Sequence, residues 1–135
     1  DRQQQVDHKS RVGTMGYCMS GAWTFHVAAA LPEQVGAIAS FHGGGLAADD
    51  ADSPLHVMGR MRAEALIAIA EDDDAREPQA KVVLREGFER AKLRAQIEVY
   101  KAGHGWCAPD MVGLYHEAEA QRAWRRLSAL FERAL

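Results

Sequence analysis

Four short runs of apolar residues, each bounded by glycine or acidic residues, alternate along the chain with longer stretches whose apolar positions return every three or four residues. The runs are "RVGTMGYC" (Arg11 to Cys18), "VGAIASFHGG" (Val35 to Gly44), "ALIAIAED" (Ala65 to Asp72) and "AQIEVYKAG" (Ala95 to Gly103). The first three are nearly continuous, as strands covered on both faces should be, and the fourth alternates more. Between the first two lies "GAWTFHVAAALP", helical by its alanine content and stopped at Leu31 and Pro32. Between the last two lies "PQAKVVLREGFERAKL", where Pro78 suits a first helical turn and Ala80, Val83, Leu84, Phe88 and Ala91 share a face. A final helix, "YHEAEAQRAWRRLSALFERAL", sets Ala120, Trp124, Leu127 and Phe131 on one stripe. The acidic link "GLAADDADSPLHVMGRMR" reads as a loop with one helical turn near His56 to Met61. Strands alternating with helices predict an α/β chain: a parallel sheet with flanking helices.

Composition narrows the function classes. At 135 residues, 47% hydrophobic, 26% charged and a net charge of −3, the chain fits a single globular domain, 1–135, with mixed surface charge. The densest basic cluster, Arg122 to Leu127, reads as the solvated face of a helix, so no nucleic-acid partner is expected. No apolar run approaches the ~18 residues that cross a bilayer, and no basic-then-apolar signal opens the chain, so a cytoplasmic location and no membrane partner are expected. Cys18 and Cys107, the two cysteines, are read as free thiols.

In a parallel sheet the carboxyl ends of the strands gather at one edge, where loops bind ligands. Cys18 ends the first run, His42 with Gly43 to Gly45 the second and "EDDD" (Glu71 to Asp74) the third, while "GHGWC" (Gly103 to Cys107) follows the fourth. A nucleophile, a base and an orienting carboxylate are what acyl transfer requires. The turn "GYCMSG" reads as a nucleophile elbow with cysteine in place of serine. The following helix aims its N-terminal N–H groups, that of Met19 first, at a thiolate or a developing oxyanion. The bland alternatives are a buried thiol at Cys18, a solvent-facing loop histidine at His104 and a solvated acidic turn at Glu71 to Asp74. His42 either lines a pocket or fills space. A zinc site of His42, His56 and His104 lacks the short paired spacing of zinc ligands. Cys107 is a packed bystander or a resolving thiol, and Trp23 and His26 are packing residues of the elbow helix.

The motifs "GYCMSG", "SFHGGGL", "AEDDD" and "GHGWC", in this order, resemble those of the dienelactone hydrolase family of α/β-hydrolases, over nearly the whole chain from Arg11 onward. The resemblance implies cleavage of a small ester or lactone by a Cys-His-Asp triad through a thioester, with no metal and no organic cofactor. It implies Cys18 as nucleophile, His104 as general base, Asp73 as the acid with Asp74 the other choice, and the Met19 backbone as an oxyanion donor. Two departures stand out. Ser20 occupies a position where the family commonly has glycine, and "HGWCAPD" has no arginine to hold a substrate carboxylate, which argues against dienelactone itself. Complete members carry several strands before the elbow, so the chain is expected to be the C-terminal half of such a hydrolase, its N-terminal strands and second oxyanion donor absent. Weak or no activity alone, and self-association or a need for the missing half, follow as expectations. The competing function is a non-catalytic α/β-hydrolase-like interaction module or an inactive fragment.

Overall fold

A computed structural model describes residues 10–135; the polar opening segment before Ser10 lies outside the described residues. The elements run β1 (Val12–Tyr17), α1 (Ser20–Ala30), β2 (Val35–Phe41), β3 (Glu64–Ala70), α2 (Glu71–Arg76), α3 (Ala80–Arg90), β4 (Ala95–Tyr100) and α4 (Glu117–Ala134). Two short 3-10 turns, Pro54–His56 and Met58–Arg60, occupy the acidic link where one helical turn is expected from the sequence. All four strands are parallel and lie side by side in the order β1-β2-β3-β4.

Alternation along the two central strands builds both cores. Every residue of β2 is buried, and every residue of β3 after Glu64. Ile38 and Ile67 point to one face and pack with Phe25 of α1 and Leu84 and Phe88 of α3. Ala37, Ala39, Leu66 and Ala68 point to the other and pack with Leu127 and Leu130 of α4. Small alanines on the second face let the long α4 lie close against the sheet, which is why continuous apolar runs, rather than alternating ones, specify these strands.

Three local expectations change. The acidic run does not end a strand as extended chain; β3 stops at Ala70 and Glu71 to Asp74 form the first turn of α2, where negative side chains oppose the positive end of the helix dipole. On α4, Ala120, Leu127 and Phe131 pack against the sheet as expected, joined by the more deeply buried Ala123 and Leu130, but Trp124 is largely exposed. Trp23 is likewise exposed rather than packed, whereas His26 is half-buried and its ring bonds the Asp52 carbonyl.

The strand β1 is an edge among the described residues. Its apolar side chains Val12, Met15 and Tyr17 are exposed, as are Met19, Trp23 and Val27 in and just before α1. Unpaired strand edges flanked by apolar surface favour association. The chain taken by itself should therefore self-associate at micromolar concentration, and a sharp monomer in light scattering would contradict this.

Candidate active site

The junction of β1 and α1 is a tight bend centred on Cys18, whose φ of 51° lies in the left-handed region that non-glycine residues seldom adopt. Hydrogen bonds hold the strained residue in place. The Cys18 N–H donates to the Phe41 carbonyl of the neighbouring strand at 3.1 Å, and the Gly21 N–H closes back onto the Cys18 carbonyl at 3.1 Å. Ser20 stitches the turn further: its hydroxyl donates to the Tyr17 carbonyl at 2.6 Å and accepts from the Tyr17 N–H at 2.8 Å. Serine at this position thus contributes two hydrogen bonds to the bend. Glycine is required at Gly16, where a Cβ would collide with the Ser20 carbonyl, and at Gly21, where it would strike the Ser40 hydroxyl. The bend leaves Cys18 half-buried at the carboxyl end of the sheet, just before the N-terminal end of α1. The Met19 N–H stands at that helix terminus, where the first amides have no intrahelical acceptor.

His104 and Asp73 come together from two other strand ends. His104 follows β4 between Gly103 and Gly105, and its Nδ1 lies 2.7 Å from Asp73 Oδ2. The other carboxylate oxygen of Asp73 accepts from Arg76 Nη2 at 2.8 Å, one turn on in α2. Asp72 fixes the same junction through the backbone: its Oδ1 accepts the His104 N–H at 3.0 Å and the Asp73 N–H at 2.9 Å. Asp74 turns elsewhere and pairs with Lys81 at 2.6 Å. Of the two carboxylates left open by the sequence, only Asp73 bonds the imidazole. Arg76 and Asp72 escape a sequence reading because their roles depend on α2 being helical; the i, i+3 spacing of Asp73 and Arg76 is the one signal present.

His42 occupies the space between the nucleophile and base candidates. It too has a positive φ, 40°, and its N–H donates to the Ala68 carbonyl at 2.9 Å. The side chain is buried, and Nδ1 lies 3.4 Å from Cys18 Sγ. Its ring stands edge-on to those of His104 and Trp106, at centroid distances of 5.3 and 4.8 Å. Burial, and secondarily the positive charge of His104, push the His42 pKa from 6.5 down to about 4, against the partial attraction of Asp73. At neutral pH the ring is an uncharged imidazole. Cys18 Sγ and one nitrogen each of His42 and His104 lie within 4.8 Å of one another. Cys18, His104 and Asp73 are thus gathered at one rim, with the thiol resting on His42.

A cavity of about 390 Å³ opens beside the dyad, lined by Gly43, Gly44, Gly45, Leu46 and Ile69 with Asp73 and His104. The triple glycine therefore borders open space, and at Gly44 and Gly45 an added Cβ would meet nothing within 4 Å. His56, the third histidine of the zinc arrangement considered from sequence, bonds the Asp50 carbonyl and is not part of the Cys18, His42, His104 group. Cys107 is half-buried, and burial, with repulsion from Cys18, pushes its pKa up to about 12. That favours the bystander reading over a resolving thiol, because the thiolate is the attacking species in exchange.

Two outcomes follow from these environments. In iodoacetamide mapping by mass spectrometry at pH 8, Cys107 should remain largely unmodified when Cys18 is fully alkylated; equal labelling would contradict the buried, protonated thiol. For His42, the unfolded chain takes up a proton as pH falls below 6.5 while the folded chain resists until about 4. Stability carried by the neutral ring is therefore present above pH 6.5 and lost through that window. Urea midpoints should fall between pH 6.5 and 4, and His42→Asn should flatten that part of the profile. An NMR titration of the His42 ring with a midpoint near 6.5 would contradict the assignment.

Comparison with known proteins agrees with this architecture. A family model described as "Dienelactone hydrolase family" matches residues 2–135. No significant match is found among curated proteins. A candidate dienelactone hydrolase structure from Klebsiella pneumoniae subsp. pneumoniae is 27% identical with a TM-score of 0.76, over 89% of this chain and 51% of that one. A dienelactone hydrolase-like promiscuous phosphotriesterase from metagenomic libraries is 24% identical with a TM-score of 0.79, over 98% and 56%. The dienelactone hydrolase of Anabaena variabilis is 20% identical with a TM-score of 0.64, over 93% and 50%. The chain spans about half the length of these similar structures. By the match of its sequence along nearly its whole length, and by the parallel sheet that carries the elbow, the chain belongs to the dienelactone hydrolase family.

Proposed function

We propose that the chain carries the nucleophile, base and acid of a hydrolase acting on a small carboxylic ester or lactone, with Cys18, His104 and Asp73 in those roles. The observation that supports it most is the 2.7 Å contact between His104 Nδ1 and Asp73 Oδ2 beside a cysteine held at a strained strand-to-helix bend. A carboxylate on Nδ1 selects the tautomer with Nε2 free to take a proton. The sulfur rests on His42 at 3.4 Å, with a nitrogen of His104 no farther than 4.8 Å, so a rise of about 1 Å towards the base would bring it within proton-transfer reach.

In this mechanism His104 Nε2 accepts the Cys18 proton and the thiolate attacks the substrate carbonyl carbon. The Met19 N–H meets the oxygen that becomes negative. Collapse expels the alcohol portion, which leaves with the proton from His104, and the acyl group stays on sulfur as a thioester. His104 then removes a proton from water, the resulting hydroxide attacks the thioester, and the acid departs as Cys18 is reprotonated. Asp73 keeps its charge throughout, and Arg76, by holding its second oxygen, keeps the first aimed at the imidazole.

Hydrolysis of p-nitrophenyl acetate, with mass spectrometry for an acetylated Cys18, tests the reading. Cys18→Ala should reduce turnover to the uncatalysed rate. Asp73→Asn should lower it by about 10²–10⁴-fold by leaving the imidazole misoriented, while Asp74→Asn, which loses only the Lys81 pair, leaves it unchanged. Turnover that survives Cys18→Ala would eliminate the nucleophile assignment.

A further inference from the structure

The group formed by Cys18, His42 and His104 has the composition and spacing of a transition-metal site as well as of a thiol hydrolase. We infer that these three residues bind a divalent cation of the zinc class, and that the bound ion blocks the proposed hydrolase by occupying its nucleophile and its base together.

Four observations carry the inference. The first is distance. Zinc bonds of ~2.3 Å to sulfur and ~2.0–2.1 Å to nitrogen at tetrahedral angles place sulfur and nitrogen about 3.6 Å apart. Cys18 Sγ and His42 Nδ1 already lie 3.4 Å apart, and the third donor is no more than 4.8 Å from either, so completing the set takes a shift of about 1 Å. The second is burial: the His42 ring is buried edge-on against Trp106, with Nδ1 turned to the Cys18 sulfur, so this donor is fixed and shielded from bulk water. The third is outer support. Asp73 bonds Nδ1 of His104, which leaves Nε2 for the ion in the carboxylate–histidine arrangement that orients metal-bound imidazoles, and Arg76 secures that carboxylate in turn. The fourth is rigidity. Cys18 and His42 both sit at positive φ at adjacent strand ends, bonded across to Phe41 and Ala68, so two donors are held by the backbone before an ion arrives.

One thiolate and two imidazoles select a borderline-soft ion over magnesium or calcium. Three protein ligands leave a fourth position for water. The step balances simply: the Cys18 S–H bond breaks, a metal–sulfur bond forms, one proton passes to the buffer and bound waters leave the ion. No oxidation state changes. Because sulfur and His104 are then ligands, ion and ester substrate exclude each other.

Metal binding is read without turnover, so its failure and that of the hydrolase reading, on which only the inhibition rests, are separable. The metal-free chain titrated with Co²⁺ should develop a near-ultraviolet thiolate-to-cobalt band with tetrahedral visible absorption, both reversed by Zn²⁺, and should release one proton per Zn²⁺ in calorimetry at two buffer enthalpies. Cys18→Ser should abolish the band and Cys107→Ser should retain it. Asp73→Asn, which leaves all three ligands in place, should weaken Zn²⁺ binding about 10–100-fold. His56→Ala should bind normally. Absence of the band at micromolar Co²⁺, its survival in Cys18→Ser, or its loss in Cys107→Ser would overturn the site. Zn²⁺ binding together with ester turnover that survives Cys18→Ala keeps the metal site and removes the hydrolase reading. Ester cleavage that is unaffected by saturating Zn²⁺ overturns the inhibition.

Discussion

The contact between His104 and Asp73 joins segments more than thirty residues apart, and most of the site is organised around it. It lies at the carboxyl ends of β3 and β4, which are paired from Ala65 and Ala95 through Ala70 and Tyr100. That register sets where Asp73 and His104 meet. The helix α2 then turns Asp73 inward and Asp74 outward, while Arg76 bonds the second Asp73 oxygen and Asp72 accepts the His104 backbone N–H. A carboxylate bonded on both oxygens has little freedom to turn, and orientation of this kind is what a base needs from its partner.

Strain and support are distributed in the same economical way on the other side of the rim. Cys18 and His42 hold unfavourable backbone conformations, and the neighbouring strands supply the hydrogen bonds that stabilise them. Behind His42 stand Trp106 and Tyr100, both fully buried, with Arg122 of α4 stacked over the Tyr100 ring at 4.2 Å. This aromatic wall excludes water from one side of His42 and so explains its low basicity. A neutral, buried imidazole beside a thiol serves both readings of the centre. It gives the sulfur a polar neighbour without adding a charge, and it provides a nitrogen donor for a soft ion.

The fold and family were legible because their signals are local and redundant. Four apolar runs with reactive residues at the same end specify parallel strands and a loop rim, and "GYCMSG" encodes a bend in which both glycines are sterically required. The end of β3 is not legible in the acidic run that follows it, since "EDDD" is a poor interior helix segment but a favourable first turn. The α4 stripe is legible at Ala120, Leu127 and Phe131, and only contact with the sheet selects Ala123 and Leu130 over Trp124 as its remaining members.

The sequence by itself determined the class of fold, the family, and the residue types delivered to one sheet edge, because periodicity, turn chemistry and motif order are properties of short segments. Tertiary structure decided which of two adjacent aspartates faces the imidazole, that His42 stands against the sulfur, and that Arg76 holds the carboxylate. Those choices depend on strand register and on helix rotation, both set by packing between residues distant in the chain, and no short window of sequence contains them.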